Sequence, residues 1–243
     1  MVELLSYNKD YYQNKLDATL RYLEGKQRIL LLTTSNRWSG IEGEELPKST
    51  RLAHKIKGLL VGREVKIIDV PSLNLYPCEG NVSTKKGNSC GEKKAVLLDE
   101  EKNPTGYHRC WASINNPDDD LWKVSKTLFD SDCVVFFGSV RWGHMNSFYQ
   151  KLIERLTWIE NRHSTLGEDN IVKDVDAGII VFGQNWNGEN VLKTQKQVIS
   201  FLGFKLVEDL CWNWKYTENF EEESPDSYVE GAKAFDETFF IKN

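Results

Sequence analysis

The sequence lacks any apolar run that approaches the roughly 20 residues a helix needs to cross a bilayer. Its first ten residues also lack the basic-then-apolar order of a secretory signal peptide. There is no excess of basic residues, since 31 lysines and arginines stand against 36 acids and give a formal net charge of −5. Nucleic-acid binding depends on a basic surface. We therefore expect a cytoplasmic protein with no membrane and no nucleic-acid partner.

Several common catalytic motifs are missing as well. No G-x-G-x-x-G follows a predicted strand, and neither G-x-x-x-x-G-K-[ST] nor H-E-x-x-H occurs. These absences argue against a dinucleotide dehydrogenase, a P-loop NTPase and a zinc protease.

The cysteines are few and widely spaced. Five cysteines in 243 residues do not form the dense, even-numbered pattern of a disulfide scaffold. Cys78, Cys90 and Cys110 lie in the same stretch as His108, and three cysteines with one histidine can bind zinc. Because no C-x-x-C spacing occurs, free thiols are the favoured interpretation and no metal is predicted.

Short apolar runs alternate with segments of helical periodicity. Strands are predicted at about 28–34, 64–70, 132–138, 177–183 and 204–214. Helices are predicted between these strands, with extra helices at the two ends, the first at about 10–24. This alternation predicts an α/β fold with a parallel sheet covered on both faces. We expect one domain spanning 1–243, in which residues 71–116, rich in Gly, Asn, Ser, Lys and Pro, form an inserted loop or lid.

Ligands of open parallel sheets bind beyond the carboxyl ends of the strands. After the first strand, Ser35, Asn36 and Arg37 precede a helix that opens with Ser49 and Thr50. Hydroxyls, a guanidinium and the N–H groups of a helix start suit a dianionic phosphate. An ordinary capped helix beside a solvated loop explains the same residues, so both interpretations stay open.

Two further loops at the same predicted edge combine aromatic, polar and glycine residues. They contain Ser139, Val140, Arg141, Trp142 and Gly143 after the third strand, and Gln184, Asn185 and Trp186 after the fourth. A flat heterocycle needs a stacking face and backbone donors, which such loops provide. Alternatively, Trp142 packs beneath the insertion and His144 lies at the surface.

These segments resemble a known family. Ser35-Asn36-Arg37 with Ser49-Thr50 resembles the phosphate loop of the NAD(P)H-dependent FMN reductase and iron–sulfur flavoprotein branch of flavodoxin-like proteins. Val134 to Gly143 and Tyr149 to Leu156 resemble that family's isoalloxazine loop and its following helix. The resemblance covers about Arg28 to Leu210 and implies a flavodoxin-like three-layer α/β/α sandwich with a five-stranded parallel sheet.

The resemblance also implies FMN as the cofactor, NADPH or NADH as the co-substrate, and a homodimer. The implied phosphate ligands are Ser35, Arg37, Ser49 and Thr50, and the implied borders of the flavin ring are 140–143 and 184–186. Two features depart from the family. An acidic stretch with Glu42, Glu44 and Glu45 separates Ser35 from Ser49, and Gly138-Ser139 replaces a proline that often ends the third strand.

We therefore expect an FMN-dependent oxidoreductase that transfers a hydride through flavin N5 to a quinone, flavin, nitro compound or similar small acceptor. The flavin carries this chemistry, so no catalytic acid or base is assigned. Arg141 or His144 is a candidate for stabilising negative charge near the reduced ring. The alternatives are a flavodoxin-like electron-transfer protein and a non-redox protein or transferase that binds a nucleotide or sugar phosphate.

Overall fold

The computed structural model describes residues 7–37, 45–183, 187–217 and 220–241. Its sheet contains β1 Arg28–Thr33, β2 Glu64–Asp69, β3 Cys133–Arg141, β4 His144–Met145, β5 Asp176–Phe182 and β6 Lys205–Trp214. Five strands are parallel in the order β2-β1-β3-β5-β6, and the short β4 pairs antiparallel with the end of β3. The five predicted strands are confirmed, and β4 is an addition that the sequence pattern did not indicate.

Helices cover both faces of the sheet. They are α1 Lys9–Leu23, α2 Lys48–Leu59, α3 Trp111–Asn115, α4 Leu121–Phe129, α5 Ser147–Ser164, α6 Gly188–Phe201 and α7 Pro225–Phe239. One core lies under α1, α2 and α7, and the other lies under α4, α5 and α6. The predicted three-layer sandwich is therefore confirmed. In the ranges described, no helix combines the length and the apolar character needed to span a membrane.

The extra N-terminal helix, α1, packs against the edge strand β6. The Asn8 side chain caps it by accepting a hydrogen bond from the Tyr11 backbone N–H at 2.9 Å. Buried Thr19 donates its hydroxyl to the Asp209 carbonyl at 2.9 Å and accepts from the Trp212 indole at 3.1 Å. These bonds attach α1 to the last strand of the sheet.

The insertion 71–116 contains short helical turns and α3, and its polar groups converge on one arginine of α5. Both Arg155 and Asp119 have fully buried side chains, and their ion pair has N–O distances of 2.7 and 2.9 Å. Arg155 also donates to the Tyr76 carbonyl and the Ser113 hydroxyl. A buried ion pair needs such additional bonds, because removing one partner leaves an uncompensated charge. The insertion is thus bound to α5.

A buried histidine lies at the same contact. His108 is 1% exposed, its Nδ1 lies 2.5 Å from the Ser125 hydroxyl, and its ring packs beside Trp158. Burial lowers the pKa of His108 from 6.5 to about 4, the Arg155 charge acts in the same direction, and Asp119 opposes it. The folded protein therefore holds this imidazole neutral.

This histidine predicts a pH-dependent stability. Between pH 6.5 and about 4 the unfolded chain binds a proton that the folded chain rejects, so the free energy of unfolding falls as the pH falls through this window. The full loss is about 3 kcal/mol. Urea titrations from pH 7.5 to 4.5 cover most of this window and measure the fall in the free energy of unfolding. His108→Gln should flatten the profile between pH 6.5 and 5, and an unchanged slope in that variant would contradict the assignment.

Candidate functional site

A cleft of about 530 Å³ opens at the carboxyl ends of the central strands. Residues following β1, the first turn of α2, the end of β3 and the end of β5 line one part of it. The end of β6 and the first half of α7 line the rest. Small-molecule and cofactor pockets typically measure about 300–1,000 Å³, so this cleft has the volume of a cofactor site.

Three buried hydroxyls are grouped between β1 and α2. Ser35 follows β1, and Ser49 and Thr50 lie in the first turn of α2. All three side chains are at most 6% exposed, and their hydroxyl oxygens have no hydrogen-bond partner among the residues that the structure describes. Buried hydroxyls are nearly always paired, and leaving one unpaired costs roughly 1–3 kcal/mol. Such a group marks the place where an acceptor-rich ligand would bind.

The start of α2 adds positive potential at this point. The helix begins at Lys48 after Pro47, its first turn has no acid, and none of the described side chains caps it. The first N–H groups of a helix have no intrahelical acceptor, and they carry the positive end of the helix dipole. Together with the three hydroxyls they form a candidate anion site, called the anion site below, of the kind found at helix N-termini.

An acid of the inserted stretch lies at the mouth of this anion site. Arg37 donates to the Glu45 carboxylate at 3.0 Å, and Arg51 donates to the same carboxylate at 2.5 Å. Burial opposes ionisation of Glu45, but the hydrogen bond from Arg37 and the neighbouring positive charges outweigh it and lower its pKa. Partial burial lowers the pKa of Lys48, the third cation here. Glu45 therefore holds Arg37 in the absence of another anion.

The loop after the third strand is a tight hairpin. β3 ends at Arg141. The turn consists of Trp142 and Gly143, with φ angles of 50° and 74°, and β4 then runs back antiparallel to β3. Two successive residues with positive φ are typical of a two-residue type I′ turn. Trp142 is 88% exposed and does not line the cleft, whereas Val140 and Arg141 do.

Hydrogen bonds hold this hairpin over the end of β1. Asn146 caps α5 by accepting from the Tyr149 N–H, and it donates to the Thr34 hydroxyl at 3.1 Å. Thr34 in turn donates to the Phe137 carbonyl at 2.9 Å. A Cβ at Gly138 would lie 2.8 Å from the Thr34 hydroxyl oxygen and 2.3 Å from the Met145 methyl carbon. Gly138 is therefore required for the close approach of β1 and the hairpin.

The opposite end of the cleft is aromatic. Phe182, Trp214 and Tyr216 form its buried floor, and Tyr228 and Val229 of α7 form its exposed rim. This end was not among the predicted sites, all of which follow the first, third or fourth strand. The sequence signal that could have found it is the pair Trp214 and Tyr216 at the carboxyl end of the last strand.

Known proteins with this architecture were found by structure and not by sequence. No family model matches the sequence, and no curated protein matches it significantly. RosB with the bound intermediate 8-demethyl-8-formylriboflavin-5'-phosphate aligns with a TM-score of 0.54 and 15% identity, over 88% of this chain and 74% of that chain. The parallel strands have the flavodoxin order when β4 is left out. The chain has a flavodoxin-like fold.

Other flavodoxin-like structures align less closely. An azoreductase from Bacillus anthracis aligns with a TM-score of 0.45 and 12% identity, over 88% of this chain and 100% of that chain. An NADPH-quinone reductase from P. pentosaceus aligns with a TM-score of 0.41 and 7% identity, over 89% of this chain and 99% of that chain. With both TM-scores below 0.5, the fold assignment depends on the strand order and the RosB alignment.

The flavodoxin-like fold brings most of the predicted site residues together. Those that line the cleft are Ser35, Asn36, Arg37, Ser49, Ser139, Val140 and Arg141. Thr50 is buried beside Ser49, and Gly143 accepts a hydrogen bond from Asn187 instead of lining the cleft. Gln184, Asn185 and Trp186 lie outside the described residues.

The insertion contributes no lining residue to the cleft among those described, so its described part does not act as a lid in this conformation.

All five cysteines are free thiols, and burial raises the pKa of Cys90 to about 12. The described residues contain no group of three or more His, Cys, Asp or Glu side chains arranged to hold a metal. Gly87-Asn88-Ser89-Cys90-Gly91 matches the serine-hydrolase pattern G-x-S-x-G, but it lies in the insertion and not on a strand-to-helix turn.

The Glu45 contact predicts a gain of anion affinity. Glu45→Gln removes a negative charge beside the three hydroxyls while its amide oxygen can still accept from Arg37, so orthophosphate should bind about tenfold more tightly. Isothermal titration calorimetry measures the change, and Glu24→Gln at the exposed end of α1 is the matched control. Weaker binding in Glu45→Gln would show instead that the carboxylate is needed to orient Arg37.

Proposed function

We propose that this chain is an FMN-dependent oxidoreductase that takes a hydride from NADPH or NADH and reduces a small acceptor. The observation that carries the proposal is the group of three buried hydroxyls between the end of β1 and the start of α2, which have no partner among the described residues. A phosphate monoester supplies the acceptor oxygens and the negative charge that this group lacks.

The residues present fit FMN from the anion site to the ends of β3 and β5. Ser35, Ser49 and Thr50 would hold the phosphate, with Arg37 able to exchange Glu45 for it. The main chain at 139–141 and the residues at Phe182 and Gly183 would border the ring. FMN supplies hydride and electron transfer, while the protein supplies orientation and electrostatics.

The cleft favours redox chemistry over group transfer. Among its described lining residues Glu45 is the one carboxylate, and it is engaged by Arg37 and Arg51. A transferase that activates a sugar phosphate or nucleotide needs a free acid or base near the reacting bond. The aromatic end of the cleft suits a planar ring system instead. The flavin phosphate bound in RosB supports a flavin mononucleotide as a ligand of this fold.

Binding of FMN should depend on its phosphate. Replacing Ser49 and Thr50 together by alanine removes two donors to a charged group, each contributing roughly 1.5–3 kcal/mol, and should weaken FMN binding by at least about 100-fold. Quenching of flavin fluorescence measures the affinity. Riboflavin, which lacks the phosphate, is the matched ligand and should lose little affinity. Equal losses for both flavins would contradict a phosphate role for these hydroxyls.

Reduction by a pyridine nucleotide separates a reductase from an electron-transfer protein. With FMN bound, anaerobic NADPH or NADH should bleach the visible flavin band rapidly. Bleaching by dithionite alone would favour an electron-transfer protein that receives electrons from a partner. If the protein does not bind FMN at all, both the reductase and the electron-transfer interpretations are wrong. The remaining interpretation is a non-redox protein that binds another phosphate ligand.

A further inference from the structure

The aromatic end of the cleft is separate from the anion site and is built on rigid contacts. The Tyr216 ring lies against Gly231 of α7, where a Cβ would come within 2.4 Å of the ring. Its centroid lies 5.5 Å from that of Trp214, which packs in turn against Phe235 at 5.2 Å. Since Trp214 and Tyr216 are 2% and 5% exposed, the floor cannot rearrange without opening the core. A preformed aromatic floor of this kind accepts flat molecules.

The charges at the two ends of the cleft differ. At the anion site, Arg37 and Arg51 are paired with Glu45, and Arg51 also contacts Asp236. At the aromatic end, Arg141 lines the cleft, and no described carboxylate lies within 4.0 Å of its guanidinium. A guanidinium that has no carboxylate partner among the described residues and lines an aromatic cleft provides a specific contact for an anion.

Arg141 of β3 and Tyr228 of α7 line the same cleft. The hydrogen bond that Tyr228 donates to Glu223 at 2.9 Å raises the pKa of the Tyr228 phenol, and the charge of Arg141 acts against this shift. Arg141 therefore lies within electrostatic reach of Tyr228. An anionic group bound here would lie between the guanidinium and the rim of α7.

We propose that the aromatic end binds the electron acceptor, that the acceptor is a planar aromatic molecule carrying a sulfonate or carboxylate, and that Arg141 selects for that anion. This inference rests on the proposed reductase function. For a quinone acceptor, NADPH or NADH supplies the hydride and solvent supplies the proton, and together they convert the quinone to the hydroquinone. Arg141 takes no part in this transfer of electrons and acts as a specificity-determining residue.

A pair of acceptors that differ in one anionic group tests the proposal. We compare 1,4-naphthoquinone-2-sulfonate with 1,4-naphthoquinone and take the ratio of variant to wild-type kcat/KM for each, so that their different intrinsic reactivities cancel. Arg141→Gln should lower kcat/KM about tenfold more for the sulfonated quinone, mainly through KM. Arg141→Lys should restore part of the difference because it keeps the charge. Lys57→Gln, at an exposed position in α2, controls for net charge.

Two results in this assay would overturn the proposal. One is an equal loss for both quinones, which would assign Arg141 to the reduced ring and not to the acceptor. The other is a variant whose KM rises for NADPH but not for NADH, while kcat/KM changes equally for the two quinones. That result would show that Arg141 binds the 2'-phosphate of NADPH and not an anionic group of the acceptor.

A binding experiment keeps the test independent of the proposed redox activity. Redox-inert naphthalene-2-sulfonate is titrated calorimetrically into the purified protein before and after addition of FMN. Arg141→Gln should weaken its binding about tenfold, and Ala232→Phe, which fills the aromatic end, should also weaken it. Undiminished binding in both variants would overturn the acceptor site. Because this measurement needs no hydride transfer, a failure of the reductase function is distinguishable from a failure of this site.

Discussion

The constraint on which the site depends is the reversal of strand order at β1. From β1 the chain goes outward to β2 on one side, and it then returns to place β3 on the other side. The connections consequently diverge, and a crevice forms beyond the carboxyl ends of β1 and β3 where no crossover covers the sheet. The anion site at α2, the hairpin after β3 and the aromatic end at β6 all border this crevice.

Close packing at that crevice determines the path of the loop after β3. Gly138 allows the Thr34 hydroxyl and the Met145 side chain to occupy space that a Cβ would take. Asn146 then caps α5 and bonds to Thr34, so a single side chain connects the helix, the hairpin and β1. This explains why the sequence has Gly138-Ser139 where the resembling family often has proline. The hairpin needs a small residue here more than it needs a rigid one.

The insertion is stabilised by a second, independent set of interactions. Arg155 on α5 binds Asp119, the Tyr76 carbonyl and the Ser113 hydroxyl, all without solvent exposure at its side chain. Because loss of the arginine would break all of these bonds at once and leave the buried Asp119 carboxylate without its counter-charge, the network behaves as a unit. Its location on α5 separates the stability of the insertion from the chemistry of the cleft.

The sequence by itself determined the layers and the strand positions, because apolar runs of strand length and helical periodicity are local patterns. It also indicated the anion site, since Ser35, Ser49 and Thr50 lie next to a strand end and a helix start that the same local patterns locate. It did not indicate β4, whose turn depends on positive φ angles at Trp142 and Gly143. Nor did it reveal the aromatic end, the pairing of Glu45 with Arg37, or the binding of the insertion to Arg155. Some of those features join residues that are far apart in sequence, and others depend on the geometry of a loop. Only the packing of the whole chain brings such groups within contact distance.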